Sequence, residues 1–477
     1  MTENARNTLL ILALAVVILL FFLLGHSDYL ANASVLAIFI AAELMLAAVL
    51  KYRRVFFAVL IATFLMAGAH LPAQGVFLQG RWVVLGIAAA AGLPIYLKNG
   101  NYRFGTFHLF AFFCVLSAAA SAFVSQYPAE SRLKAASLLL LFLYAASGAR
   151  VTVPAFRPER FFHRVLLGCE ILLWITAVCY LALRSEFLGN PNSLGAVMGV
   201  VVVPMLLWGV LIAETTGRRI RLGSELAVAF LLLMSSFARA GIGASIIASL
   251  LLCVSLKRYR FLIKSVAAGL VLATCAVAFV PHSVHGPDIG SSASIQSAFL
   301  YKGHRTAGIF GSRQSVWQQT WDSIQQNPWF GTGFGTSLIS GDLTRMHYAE
   351  NHTDSWVQRE HGNSYLAIAE WTGLLGMLPF YFLVALTAVD AARVFTWLRR
   401  TGNAFSAAVP AAAIVAAGLF HAMFEDWMFA VGYYLCVFFW AIAFIMVDVL
   451  PQPAVVYAPD IVIPMPPRFA GAAASGQ

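Results

Sequence analysis

Apolar residues occur in long blocks separated by short hydrophilic breaks. The blocks fall near residues 8–25, 30–50, 54–72, 81–97, 104–125, 132–150, 164–183, 193–214, 223–238, 241–256, 261–280, 362–389, 405–424 and 428–449. A helix needs about 20 apolar residues to cross a bilayer. The pattern therefore predicts an all-α, polytopic integral membrane protein with about 12–14 transmembrane helices, the lower number applying if short blocks merge or are re-entrant. Thr8 to Gly25 has no small-residue cleavage site after it, so the first block is expected to stay as an anchor. The expected organisation is an N-terminal helix bundle over 1–280, a loop with an amphipathic helix over 281–361, C-terminal transmembrane helices over 362–449, and a disordered Pro- and Ala-rich tail over 450–477.

Composition agrees with the pattern: 60% of the 477 residues are hydrophobic and only 11% are charged, far from the soluble average. The net charge of +10 carries a different message. Basic residues cluster in alternate breaks (Lys51, Arg53, Arg54; Arg150, Arg157, Arg160, Arg164; Arg218, Arg219, Arg221; Lys257, Arg258, Arg260; Arg393, Arg399, Arg400), whereas the breaks GHSDYL and SQYPAES carry none. That is the positive-inside pattern. It puts both termini in the cytoplasm, requires an even number of crossings, and removes the need for a nucleic-acid partner. The six cysteines lie inside apolar blocks without paired or metal-ligand spacing, so they read as small buried hydrophobes.

One break differs in kind. Residues 281–360 are long and polar, and fall on the non-cytoplasmic side; loops of that length usually carry function. The loop holds five Lys/Arg and six Asp/Glu, so it is no basic patch. Within it, SRQSVWQQTWDSIQQNPWFGTGFGT sets Arg313, Trp317, Trp321 and Ile324 on one helical face. Ser312 is the expected N-cap, Asn327-Pro328 the stop, and the membrane interface the expected resting place of the tryptophans. The following GTGFGT lacks the strand-before, helix-after context of a dinucleotide fingerprint and the Lys of a P-loop, so it is expected to be a flexible turn.

Four stretches carry candidate chemistry. In LLLMSSFARAGIGASII, Arg239 interrupts an apolar run; a cation at such depth faces a cavity, a partner or a ligand, or else snorkels to headgroups. Arg313 adds a guanidinium to the free N–H groups of a helix start, an arrangement suited to phosphate, although a solvated loop arginine is the plain alternative. His361, at the mouth of the apolar run that follows, has an ordinary pKa near 6.5 and could take a proton from a hydroxyl; a cap or a satisfied interfacial imidazole is the alternative. Asn363, Tyr365, Glu425 and Asn192 are candidates for lining the same cavity, with Asn190 or Asn192 also reading as a helix cap. His347, His352 and Asp354 with His361 fit no familiar zinc spacing, so no metal is expected.

At these residues the chain resembles the O-antigen ligase and O-antigen polymerase superfamily, bacterial membrane glycosyltransferases that use polyprenyl-diphosphate-linked glycans. The resemblance rests on NPNSLG, SSFARAG, GSRQSVWQQTWDSIQQNPWFGTGFG and HGNSYLAIAEWTGLLG, in that order over about 190 to 376. It implies a GT-C-like fold and functional roles for Arg239, Arg313 and His361: the arginines holding the diphosphate and the histidine acting as general base. In the family pattern the histidine directly precedes Asn, Ser or Gln, whereas here Gly362 stands before Asn363. Transfer of O-antigen from undecaprenyl diphosphate to a sugar of lipid A–core, at the periplasmic face of the inner membrane, inverting and without metal or cofactor, is the implied reaction. The rival inside the superfamily is the polymerase. A transporter or lipid flippase, the rival outside it, predicts paired broken helices in two related halves, which the sequence does not display.

Overall fold

The computed structural model describes residues 48–70, 74–99, 104–154, 157–183, 187–264, 311–337 and 360–451, with isolated positions besides. The expected anchor at 8–25, most of the blocks at 30–50 and 261–280, almost all of the tail, and His347, His352 and Asp354 lie outside the described residues. Among the described residues every regular element is helical: α1 (Phe57–Ala67), α2 (Gln74–Asn99), α3 (Thr106–Ser121), α4 (Pro128–Thr152), α5 (Glu159–Ala182), α6 (Pro191–Leu211), α7 (Thr216–Ser235), α8 (Arg239–Ser255), α9 (Gly311–Gln326), α10 (Ser364–Thr401), α11 (Ala408–His421) and α12 (Tyr434–Val449).

Five of these, α2, α4, α5, α6 and α10, are long and apolar enough to cross a membrane, and α3, α8, α11 and α12 are shorter apolar helices. Their surroundings differ. α6 and α12 are apolar all round and almost wholly buried, with Trp208, Phe439, Trp440 and Phe444 inaccessible, the signature of central helices. α2 and α5 turn Val83, Leu97, Leu167, Ile171, Trp174 and Val178 outward. Such an outer surface is sensible only against lipid, so the chain has the build of a membrane protein.

Small residues let the central helices approach. A Cβ at Gly199 would lie 2.1 Å from the carbonyl oxygen of Gly241, and one at Gly195 would lie 2.1 Å from the Cβ of Ala238. α6 and α8 therefore touch backbone to backbone, which sets the start of α8 beside the start of α6. Asn190 caps α6 as expected, accepting from the Ser193 N–H at 2.7 Å, with Pro191 in the first turn.

The structure departs from the apolar pattern in three places. First, α10 runs to Thr401, well past the end of the apolar block at 389, carrying Arg393, Arg399 and Arg400 on helix rather than in a loop. Second, Arg150, counted among the basic break, is buried: its guanidinium reaches Asp448 at 2.5 and 2.6 Å, Tyr96 Oη at 2.8 Å and His108 Nε2 at 2.9 Å. This cation is a clamp among α2, α3, α4 and α12, and its partners are far apart in sequence.

Third, GTGFGT is a fixed turn, not a flexible one. α10 is broken at Gly373, where φ is 68° and ψ −179°. Backbone groups stranded at the break are taken up by the segment after α9: Thr332 N–H donates to Glu370 O at 2.9 Å, Gly333 N–H to Trp371 O at 3.0 Å, and Leu374 N–H to Pro328 O at 2.7 Å. Gly331 has φ 71°, and a Cβ there would sit 2.4 Å from Glu370 O, so this position needs glycine on both counts. Phe334 is buried between Trp371 and Phe380, while Ser131 Oγ donates to Phe334 O and Lys134 Nζ to Gly335 O. The turn locks α9 to α10.

Candidate functional site

A cavity of about 160 Å³ opens where the start of α6, the start of α8, the start of α9 and the end of α11 meet. Asn192, Ala238, Arg239, Arg313, His421 and Glu425 are among the residues that line it. Arg239 and Arg313, distant in sequence, thus face one space. Arg239 is the first residue of α8; the turn before it is set by Phe237 at φ 51°, with Ser236 Oγ accepting from Ala238 N–H at 3.2 Å. The basic residues Lys257 and Arg258 follow the other end of the same helix, so the cavity lies at the end of α8 remote from that break.

α9 begins at Gly311, which puts Ser312 inside its first turn rather than at the cap, and Asn327-Pro328 ends it as expected. Its buried face also differs from the expected one. Ile324, Thr320 and Ser323 are buried and Trp317 is half-buried, while Trp321 is exposed. The reason is a polar contact that an apolar period does not report: Ser323 Oγ donates to Glu370 Oε1 of α10 at 3.1 Å. Trp317 Nε1 donates to Gly362 O at 3.1 Å. The helix is packed on α10 through these residues, which fixes Arg313 at its N-terminal end.

The Arg313 guanidinium is held by two carboxylates, NH1 donating to Glu360 Oε1 at 2.8 Å and NH2 to Glu425 Oε1. Glu360 is half-exposed and Glu425 lies at the cavity wall. Two acceptors on one planar fork is also the geometry with which arginine takes two oxygens of a phosphate. A diphosphate on Arg313 would compete with both. Glu360→Gln is accordingly expected to lower the donor KM, by up to about fivefold for so exposed a pair, with kcat little changed. Donor titrations check this, and a raised KM would mean that Glu360 aims the guanidinium instead of competing for it.

His361 does not stand open at a helix mouth. Its side chain is 1% exposed, lying just before α10. Nδ1 is 3.1 Å from Asp426 Oδ2, and Nε2 is 3.1 Å from Glu370 Oε2 and 3.2 Å from Ser337 Oγ. The backbone N–H of His361 also donates to Asp426 Oδ2 at 2.8 Å. Burial by itself lowers an imidazole pKa, but the hydrogen bonds and charges of Asp426 and Glu370 outweigh it, so His361 is held above the ordinary value of 6.5. Burial pushes Asp426 the other way, yet the contacts with His361 dominate and keep that carboxyl below its usual range. The ordinary imidazole pKa expected from the sequence is thus raised by these two carboxylates.

Gly362 brings this cluster against Arg313, one residue of the cavity wall, while His361 itself does not line the cavity. At Gly362 φ is 62°, and a Cβ there would lie 2.7 Å from Arg313 NH1. The residue that departs from the family spacing is therefore the contact between the histidine segment and the arginine. Ser364 completes the join: its N–H donates to Ala422 O at 2.9 Å, its Oγ donates to Glu425 O at 2.6 Å, and Met428 N–H donates to that Oγ at 3.1 Å. This stitches the Glu425–Asp426 loop onto the start of α10.

Two expected cavity residues have other duties. Asn363 caps α10, its Oδ1 accepting from Tyr365 N–H at 2.8 Å and Leu366 N–H at 3.1 Å. Tyr365 Oη donates to Leu419 O at 2.8 Å within the helix packing, and His361, being outside the helix, does not share a helical face with it. Asn192 and Glu425 do line the cavity. Sequence reasoning passes over Glu370, Ser337 and Trp427, and reads His421 and Asp426, like Glu425, as residues that either line the cavity or bound a loop. Only the HAMFEDW cluster after α11 signalled any of them.

Residues 224–381 match a family model described as O-antigen ligase (Wzy_C), a stretch that holds Arg239, Arg313, His361 and Glu370. Asn192, His421 and Glu425 fall outside it. No curated protein matches the chain.

Proposed function

We propose that the chain, whose residues 224–381 match the O-antigen ligase family model, is a GT-C-like membrane glycosyltransferase that moves O-antigen glycan from undecaprenyl diphosphate to a sugar hydroxyl of lipid A–core. The observation that supports this most is the convergence of Arg239 and Arg313 on one cavity. The cavity is open on one side, and the two guanidiniums on its wall suit a small polyanion. The diphosphate enters, and the glycan and lipid extend away from it. With the basic breaks in the cytoplasm, the loop 281–361 and the cavity face the periplasm.

In the reaction the acceptor oxygen bonds to the anomeric carbon as the carbon–oxygen bond to the diphosphate breaks. The electron pair leaves on the diphosphate, where two guanidiniums in a low-dielectric setting stabilise the growing charge. The hydroxyl proton goes to Nε2 of His361 in its neutral form as the acceptor takes the place of Ser337 Oγ; Asp426 on Nδ1 orients the ring and Glu370 beside Nε2 stabilises the imidazolium that forms. Attack opposite the leaving group inverts the anomeric centre.

The test is reconstitution. Purified protein given labelled undecaprenyl-diphosphate glycan should label rough lipopolysaccharide without added nucleotide or metal. Joining of one repeat unit to another in place of lipopolysaccharide labelling would assign the polymerase reaction, and movement of the lipid across vesicles without transfer would overturn the enzyme reading.

A further inference from the structure

His421 ends α11, is 2% exposed and lines the cavity beside Arg239, Arg313 and Glu425. Trp427 Nε1 lies 2.7 Å from His421 Nδ1. An indole N–H can only donate, so Nδ1 is the acceptor and carries no proton. The ring is then a neutral imidazole with its proton on Nε2, and Nε2 is the nitrogen left for a ligand. Trp427 is itself rigid. It is 5% exposed, packed edge-on to Phe439 with ring centroids 5.5 Å apart.

We propose that His421 is a substrate-contacting residue, a neutral hydrogen-bond donor whose Nε2–H meets an oxygen of the diphosphate held by Arg239 and Arg313, with Trp427 as the positioning residue that fixes its tautomer. This deepens the transfer reading and rests on it. A neutral donor adds charge stabilisation to the leaving group without packing a third cation against two guanidiniums. The groups facing the ring from neighbouring elements are Arg239 of α8, Arg313 of α9, and Glu425 and Trp427 of the loop after α11. A second proton on His421 would break the contact with Trp427 and add a third positive charge to the cavity. The contact is therefore made throughout the working pH range, which separates His421 from a general base.

The experiment compares His421→Ala, His421→Gln and Trp427→Phe with the wild-type protein, each full-length and checked for monodispersity. Three readouts are taken: kcat/KM for the lipid-linked donor, the pH profile of transfer, and the thermal shift given by inorganic pyrophosphate. Removing one donor to a charged oxygen should lower kcat/KM roughly 10- to 100-fold in His421→Ala. His421→Gln, with an amide N–H near the Nε2 position, should recover much of the loss, and Trp427→Phe should fall between, since the proton then divides between two nitrogens. The acidic limb of the pH profile should stay where it is in all three, and the pyrophosphate shift should shrink in His421→Ala. A limb that moves in the His421 variants, or alanine and glutamine variants equally impaired with the pyrophosphate shift intact, would overturn the proposal. If the wild-type protein transfers no glycan, the ligase reading fails, while the pyrophosphate comparison still decides the role of His421.

Discussion

Arg313→Lys is expected to lose nearly as much transfer as Arg313→Ala, on the order of 100-fold or more in kcat/KM for the donor. Charge is preserved in the lysine variant and shape is not. In the structure the guanidinium spans Glu360 with NH1 and Glu425 with NH2, a two-point grip that a single ammonium on a flexible stem does not reproduce. The same two points suit two oxygens of a diphosphate. The mount is equally specific, since Arg313 sits on a helix fixed by Ser323 to Glu370 and by Trp317 to Gly362. Steady-state kinetics with the purified variants measure the effect. Full activity of the lysine variant would count against direct contact with the diphosphate.

His361→Ala should abolish transfer while the donor still binds, with a loss in the 10²–10⁴-fold range usual for a positioned proton acceptor. The pH profile supplies the sharper reading. Held above 6.5 by Asp426 and Glu370, His361 is cationic, and unable to accept a proton, below its raised pKa. Transfer should therefore fall as the pH drops through a value above 6.5 and rise to a plateau on the alkaline side. Glu370→Gln removes one of the two carboxylates that raise the pKa, so the limb should move toward lower pH. Alanine at 361 also removes the hydrogen-bond partner of buried Glu370 and part-exposed Asp426, a destabilising change in itself. His361→Gln, which leaves a hydrogen-bonding group there, separates the two effects. If donor binding disappears in a folded His361 variant, the proton-acceptor role is wrong.

Much of this architecture was legible because it is local. Apolar blocks find helices, and Asn190-Pro191 finds a helix start from adjacent residues alone. Arg239 stood out because a cation in an apolar run is costly without a reason, and Arg313 because it stands at a helix start, where phosphate is held well. What stayed hidden depends on contacts across the chain. The fixing of GTGFGT depends on the break at Gly373, whose stranded carbonyls the turn satisfies. The surroundings of His361 depend on Glu370 and Asp426, one about two turns into α10 and the other in a different loop. Asn363 looked like a cavity residue and proved to be a cap, since an asparagine before an apolar run serves either purpose. Arg150 looked like a topological marker until Asp448, Tyr96 and His108 were seen around it.

Everything in the proposed chemistry depends on two guanidiniums acting on one diphosphate. A double-mutant cycle on Arg239→Ala and Arg313→Ala, read as kcat/KM for the lipid-linked donor, tests that most directly. If both side chains hold the same group, the double variant should lose little more than the worse single variant. Losses that multiply across the two sites would show that they act independently, and would contradict the account.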